Sequence, residues 1–180
     1  MKHLIYIITF ISFSAFAQNK YITKTGQVNF EASVPSFEEV KANNNAVTAI
    51  INVETGEFAA LAFVKGFRFK NALMEEHFNE NYAESDTYPK ATFKGTIKGF
   101  SMETLKTQST FEISGSLTFH GKTKPLDTIV LNITEAEETI SMSGNFMTNA
   151  SDFDIKIPKI VRNKIANDIE VSFNFELKKK

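Results

Sequence analysis

The chain has no cysteine and no tryptophan, only four prolines and eight glycines, and a formal net charge of −1. Each shortage removes a class of protein. Without cysteine there are no disulfides, thiolate metal sites or thiol nucleophiles, and no lipid anchor built on a modified cysteine, so the fold must hold by its core alone. At 180 residues one domain is the natural count, and it is large enough to bury a full core without covalent staples. The near-neutral charge supplies no basic field for nucleic acid or an anionic membrane surface. The run Lys178-Lys179-Lys180 reads as a solvated terminus.

Long apolar runs are also missing after the first residues. Met1 to Ala17, MKHLIYIITFISFSAFA, has a short basic start, an apolar run and Ala15 and Ala17 in the small-residue positions before Gln18. This is the pattern of a secretory signal peptide cleaved after Ala17, and it falls short of the roughly 20 apolar residues that a membrane-spanning helix needs. The expected organisation is therefore a signal peptide over 1–17 and one domain over 18–180, in an exported protein, periplasmic or secreted. The mature chain has no membrane span.

What is abundant is phenylalanine, 18 of 180 residues. Each ring buries a large apolar surface, so the rings serve either a filled core or the wall of a greasy cavity. Composition does not choose between them.

Most of the chain alternates apolar and polar residues with the period of a half-buried strand. Tyr21 to Ala32 is a first strand, bent or bulged at Gly26. Ser36 to Asn45 reads as a turn and loop, because Asn43-Asn44-Asn45 is polar throughout. Val47 to Val53 and Glu57 to Lys65 flank Glu54-Thr55-Gly56 as a hairpin. Further strands run from Ala91 to Phe100, Thr107 to His120, Leu126 to Thr134, Thr139 to Met147 and Asp168 to Leu177. Ser101 to Lys106 is expected as a polar turn, Thr148 to Ile157 stays ambiguous, and Pro158 to Ala166 fits a helical period with proline in the first turn.

One stretch, Val64 to Gly95, breaks the alternation. Asn71 is positioned to cap a short helix with Leu73, Met74, His77 and Phe78 on one apolar side and Glu75, Glu76, Asn79 and Glu80 towards water. The polar segment after it ends at Tyr88-Pro89, which favours extended backbone before the next strand. About eight strands with short connections, and helices too short to cover them, require a sheet that curls on itself as a barrel or sandwich. The expected fold is mainly β, an antiparallel eight-stranded lipocalin-like barrel with one or two short helices, because closure removes the sheet's edges.

Catalytic signatures are scarce. There is no His-Glu-x-x-His, no Gly-x-Ser-x-Gly, no phosphate loop and no dinucleotide fingerprint. His77 beside Glu75, Glu76 and Glu80 has the residue types of a metal pair or an oriented base, but metal sites need several convergent ligands, and packing at the helix edge is the commoner role. His120 closes a strand beside a turn and has the same ordinary reading. The acids Glu75, Glu76, Glu80, Glu84 and Asp86 lack the spacing and glycine of a calcium loop. No catalytic residue, metal or cofactor is expected.

The segment HFNENYAESDTYPKATFKG, followed by GSLTFHGKTKPL, resembles the YceI-like family of secreted lipid- or polyisoprenoid-binding proteins. In that family a His-apolar pair on a short helix leads through a loop to a Tyr-Pro-x-Ala-x-Phe strand, and a later strand ends in a Gly-x-Leu-x-Leu-x-Gly-x-Thr-Lys-Pro-like run. Here Phe78 follows His77 where leucine is commoner. The resemblance implies a lipocalin-like barrel that carries a long-chain amphiphilic lipid of the polyisoprenoid or isoprenoid quinone class, without a reaction of its own.

Gly95, Gly115 and Gly144 fall on the apolar faces of their strands, either leaving a channel or marking corners where the sheet bends. With the resemblance, they complete a set of candidate ligand-binding residues. Phe63, Phe67, Arg68, Phe69, Met74, His77, Phe78 and Tyr82 come from the interrupting stretch and its approach. Phe93, Gly95, Phe111, Gly115, Phe119, Met142, Gly144 and Phe146 come from the strands. Two rival readings stand beside this one: a structural or partner-binding barrel with a filled core, and a hydrolase or isomerase that uses His77 or His120 as base on a bound lipid.

Overall fold

A computed structural model describes residues 19–180; the expected signal peptide lies outside the described residues. The sheet has nine antiparallel strands: β1 (Lys20–Ser33), β2 (Lys41–Asn52), β3 (Glu57–Phe63), the two-residue β4 (Arg68–Phe69), β5 (Lys90–Ile97), β6 (Thr110–Phe119), β7 (Lys122–Ala136), β8 (Thr139–Asn149) and β9 (Ile165–Lys179). Their order is β1-β9-β8-β7-β6-β5-β3-β2-β4, and β1 also pairs with β2. That last pairing, from Lys20↔Asn52 to Glu31↔Lys41, closes an eight-stranded barrel with β4 as an appendage on β2.

Three local expectations change. The three asparagines lie within β2, not in a loop. Asn44 is almost fully buried, its Nδ2 donating to the Phe63 carbonyl at 3.0 Å and its Oδ1 accepting from the Ala46 amide at 3.0 Å. A buried amide with both ends partnered carries little penalty, and the polar run hides this because only one of its three side chains turns inward. Ser101 to Lys106 contains the short helix α2 (Met102–Leu105; α1 is the helix Ala72–His77), fixed by a Ser101/Thr104 capping box, with Leu105 buried at the end of the barrel. Pro158 to Ala166 is not a helix. Its bonds close four-residue turns, Val161 N to Pro158 O and Lys164 N to Val161 O, and Ile165 is already paired with Ser33 in the sheet. A helix this short has little stability of its own, so strand pairing prevails.

The barrel interior divides into two levels. Tyr21, Ile51, Ile97, Phe100, Leu105, Phe111, Ile133, Ile140 and Leu177 are all buried in one contiguous cluster and fill the lower end. Above them a row of rings crosses the interior: Phe93 to Phe58 with centroids 6.2 Å apart, Phe58 to Phe175 at 5.6 Å, and Phe175 stacked on Phe173 at 5.4 Å.

Glycines make room for this row. A Cβ on Gly95 or Gly115 would lie 3.0 or 2.7 Å from the Phe93 ring, on Gly144 2.8 Å from Phe173, and on Gly26 2.4 Å from Phe175. The rings lie where these side chains would be. Gly26 also sits between two register shifts of β1, the bulge expected there. Gly115→Ala would place its Cβ 2.3 Å from the Lys94 carbonyl oxygen and 2.7 Å from the Gly95 Cα, backbone contacts that a side-chain rotation cannot relieve. We expect it to cost roughly 1–3 kcal/mol, read as a lowered urea midpoint with an unchanged slope.

Candidate functional site

The upper half of the barrel is hollow. It encloses a cavity of about 430 Å³, within the range of small-molecule sites, and its floor lies at one level on every strand. Val28, Val47, Phe58, Phe93, Ile113, Leu131, Met142 and Phe175 line it, while Ile51, Ile97, Phe111, Ile133, Ile140 and Leu177 do not. The upper wall consists of Phe119, Phe146, Ile169 and Val171 with Ala60 and Ala62. Polar groups are confined to the rim, from Glu38, Asn71, His77 and Tyr82 on one side to Thr148, Asn149 and Lys164 on another, apart from Thr92 in the wall.

The first lip of the rim is α1 (Ala72–His77) with the π-helical turn Phe78–Tyr82. Six helical residues do not hold themselves together in water; local bonds and rings supply the rest. Asn71 Oδ1 accepts from the Leu73 amide at 2.9 Å and the Met74 amide at 3.4 Å, the N-cap read from the sequence. Glu75 does not face water as expected. Its two oxygens accept from Arg68 Nη1 at 2.8 Å and the Phe69 amide at 3.0 Å, binding the helix to β4. Phe78 packs into a cluster with Phe30, Phe67 and Phe69, with centroids 5.2 to 6.1 Å from it. Tilted and edge-on rings of this kind add to the gain from burial.

The second lip is the turn Ala150–Phe153 and the loop after it. Asp152 accepts from Lys124 Nζ, from Thr148 Oγ1 at 3.1 Å and from the Asn149 amide at 2.9 Å. The lysine bond, with the amide and hydroxyl, holds its carboxyl below the usual carboxylate range against the opposing effect of burial. Phe153 is buried, lines the cavity and meets Phe119 edge-on at 5.6 Å. His120 packs this lip against the segment that follows the first: its Nδ1 is 2.9 Å from the Phe153 carbonyl, its ring packs on Tyr88 with centroids 4.6 Å apart, and its buried Nε2 lies 3.4 Å from Glu84 without a hydrogen bond.

Of the residues singled out from sequence, Phe67, Phe69, Met74, His77, Phe78, Tyr82, Phe93, Phe119, Met142 and Phe146 converge on the cavity. Phe63 does not; it is 56% exposed and lies beneath Lys90 on the outer face. Arg68 turns outward to Glu75. Phe111 packs on Phe100 at 5.4 Å below the floor. Gly95, Gly115 and Gly144 do not line the space, because the Phe93 and Phe173 rings cover them. The acidic cluster disperses: Glu84 meets His120, Asp86 pairs with Lys65, Glu75 with Arg68. Among the described residues no three histidines or carboxylates converge as a metal site would need. The sequence reading missed the second lip, Phe153, Ile155, Ile157 and Val161. The alternation of Phe153, Ile155 and Ile157 was its signal, obscured by Pro158.

The YceI-like domain family matches residues 15–177 of the chain. No curated protein matches it. Among solved structures it is similar to a polyisoprenoid binding domain from Saccharophagus degradans implicated in plant cell wall breakdown, with a TM-score of 0.75 and 15% identity over 91% of this chain and 99% of that one. It is similar to Burkholderia cenocepacia BcnA with a TM-score of 0.69 and 16% identity, covering 84% and 95% of the two chains. The Campylobacter jejuni YceI protein gives a TM-score of 0.65 and 17% identity over 82% and 89%.

The Asp152 bonds set a pH dependence. A carboxyl held below its ordinary value of 3.8 contributes stability that is present above the unfolded value and lost as pH falls through the folded one. Acidification below about pH 4 therefore loosens the second lip, and Asp152→Asn removes that part of the dependence. At neutral pH the substitution costs roughly 1.5–3 kcal/mol, the scale of a hydrogen bond to a charged group. Chemical denaturation at pH 7 and pH 3 measures both, with a smaller difference between wild type and variant expected at pH 3.

Proposed function

The chain belongs to the YceI-like domain family, and on that premise we propose that it binds an amphiphilic lipid of the polyisoprenoid or isoprenoid quinone class in the upper half of the barrel. It acts as an exported carrier or sequestering protein, without a reaction of its own. The observation that carries this reading is the cavity itself: its walls are almost wholly apolar and its polar groups are gathered at one open end, so tail and head group have separate places. Each buried CH2 contributes about 0.8 kcal/mol, so a long hydrocarbon tail is held without a salt bridge. The similarity to a structure described as a polyisoprenoid binding domain supports the ligand class. The signal-like pattern of Met1 to Ala17 supports export, and among the described residues no helix is long and apolar enough to cross a membrane.

The two histidines stand differently from a catalytic pair. His77 is exposed at the rim, and His120 lies outside the cavity lining, with Nδ1 against the Phe153 carbonyl and a buried Nε2 that makes no hydrogen bond. No observation favours turnover of the bound lipid.

Purification from Gln18 onward without detergent, followed by organic extraction and mass spectrometry, tests the reading. A long-chain lipid in stoichiometric amount is the expected result. An empty protein that also rejects polyisoprenoids, quinones and fatty acids would end it. Ala60→Trp gives a matched control, because Ala60 is on the cavity wall and only half-buried. The indole fills space that the ligand needs. The variant is expected to keep its unfolding free energy within about 1–3 kcal/mol of the wild type and to lose the lipid.

A further inference from the structure

From Ile155 to Asn167 the chain reads IKIPKIVRNKIAN, with Lys156, Lys159, Arg162 and Lys164 and no acidic residue. All four cations are exposed, and among the described residues none forms an ion pair. Ile160 stands in the middle of them, 84% exposed. The near-zero net charge of the whole chain conceals this local field.

The position of the loop gives the field a direction. Ile155, Ile157, Val161 and Lys164 line the cavity, so the same loop turns one side to the cavity and the other, with Ile160, Lys156, Lys159 and Arg162, to the outside. Two further large apolar side chains are exposed around the opening: Leu73, 57% exposed and itself on the rim, and Phe37, 45% exposed beside the rim residue Glu38. Isolated exposed apolar residues are ordinary. Here they gather at the opening of an apolar cavity, and one is ringed by unpaired cations, the composition by which a surface element lies on an anionic bilayer. The first lip carries exposed Glu76 and Glu80, so contact is one-sided, with the basic loop down.

We propose that the loop 155–167 docks the mouth of the barrel on an anionic lipid surface, with Ile160 entering the interface and Lys156, Lys159 and Arg162 meeting the head groups. The proposal rests on the lipid-carrier reading for its purpose: a long-chain lipid has almost no concentration in water and must enter and leave through a bilayer. Docking itself is measurable without any cargo.

The experiment is co-sedimentation of the mature protein with vesicles of phosphatidylcholine alone and of phosphatidylcholine with 30% phosphatidylglycerol. Binding is expected to the anionic vesicles and to fall steeply with salt. Each cation near the surface is worth about fivefold in partition, so Lys156→Ser, Lys159→Ser and Arg162→Ser combined lose on the order of a hundredfold, and Ile160→Ser alone about tenfold. Lys164 is left in place because it lines the cavity. The control is Lys178→Ser, Lys179→Ser and Lys180→Ser, which removes equal charge from the other end of β9, roughly 45 Å away at about 3.3 Å per residue. It is expected to bind as wild type. No binding to anionic vesicles, or equal loss in both triple variants, would overturn the proposal. So would a loop that ignores vesicles and captures an acidic protein. Failure of the lipid extraction together with intact vesicle binding would overturn the carrier reading and leave the docking surface standing.

Discussion

The pairing of β1 with β2 is the constraint on which everything else rests. An open sheet of these strands would expose two long edges and an apolar face, and its short helices could cover neither. Closure satisfies both edges with backbone bonds and turns every inward side chain towards every other. Whether the enclosed space is filled or hollow is then decided by side-chain volume, level by level. Isoleucine, leucine, tyrosine and phenylalanine on converging strands fill the lower end, whereas Ala60 and Ala62 are too small to meet the facing strands across the upper one.

The upper end survives as a cavity because separate bonds hold its rim apart. Glu75 fastens α1 to β4, Asp152 fastens the second lip to β7 and β8, and His120 holds the Phe153 carbonyl while packing on Tyr88. None of these polar contacts lies across the opening. They brace its edge, and the interior is left to apolar contacts.

The sequence disclosed the architecture well because a strand's period is short and local: seven of the eight barrel strands were legible from alternation alone, and the eighth, β2, in part. The glycines were legible as places and not as roles. Their faces were correct, but a one-dimensional pattern does not show that Phe93 and Phe173 bend back over them, since Gly115 belongs to β6 and the ring that covers it to β5. The second lip was hidden for a related reason. Its residues form neither strand nor helix, and they share a site with α1 only after closure brings residues 72–82 and 150–164 to the same rim. Net charge misled in the same way, because four cations in one loop are cancelled in the sum by acids elsewhere in the chain.

The ring row also works as a stop gauge. Phe58, Phe93, Phe173 and Phe175 lie across the barrel at a height fixed by Gly26, Gly95, Gly115 and Gly144, so the distance from floor to rim is written into the strands and not into the loops. A straight hydrocarbon has only that much run before it meets an aromatic plate, and any longer guest must fold back or protrude from the rim. Moving one glycine and its ring by two residues along their strands would reset the gauge while leaving the barrel's closure and its rim as they are.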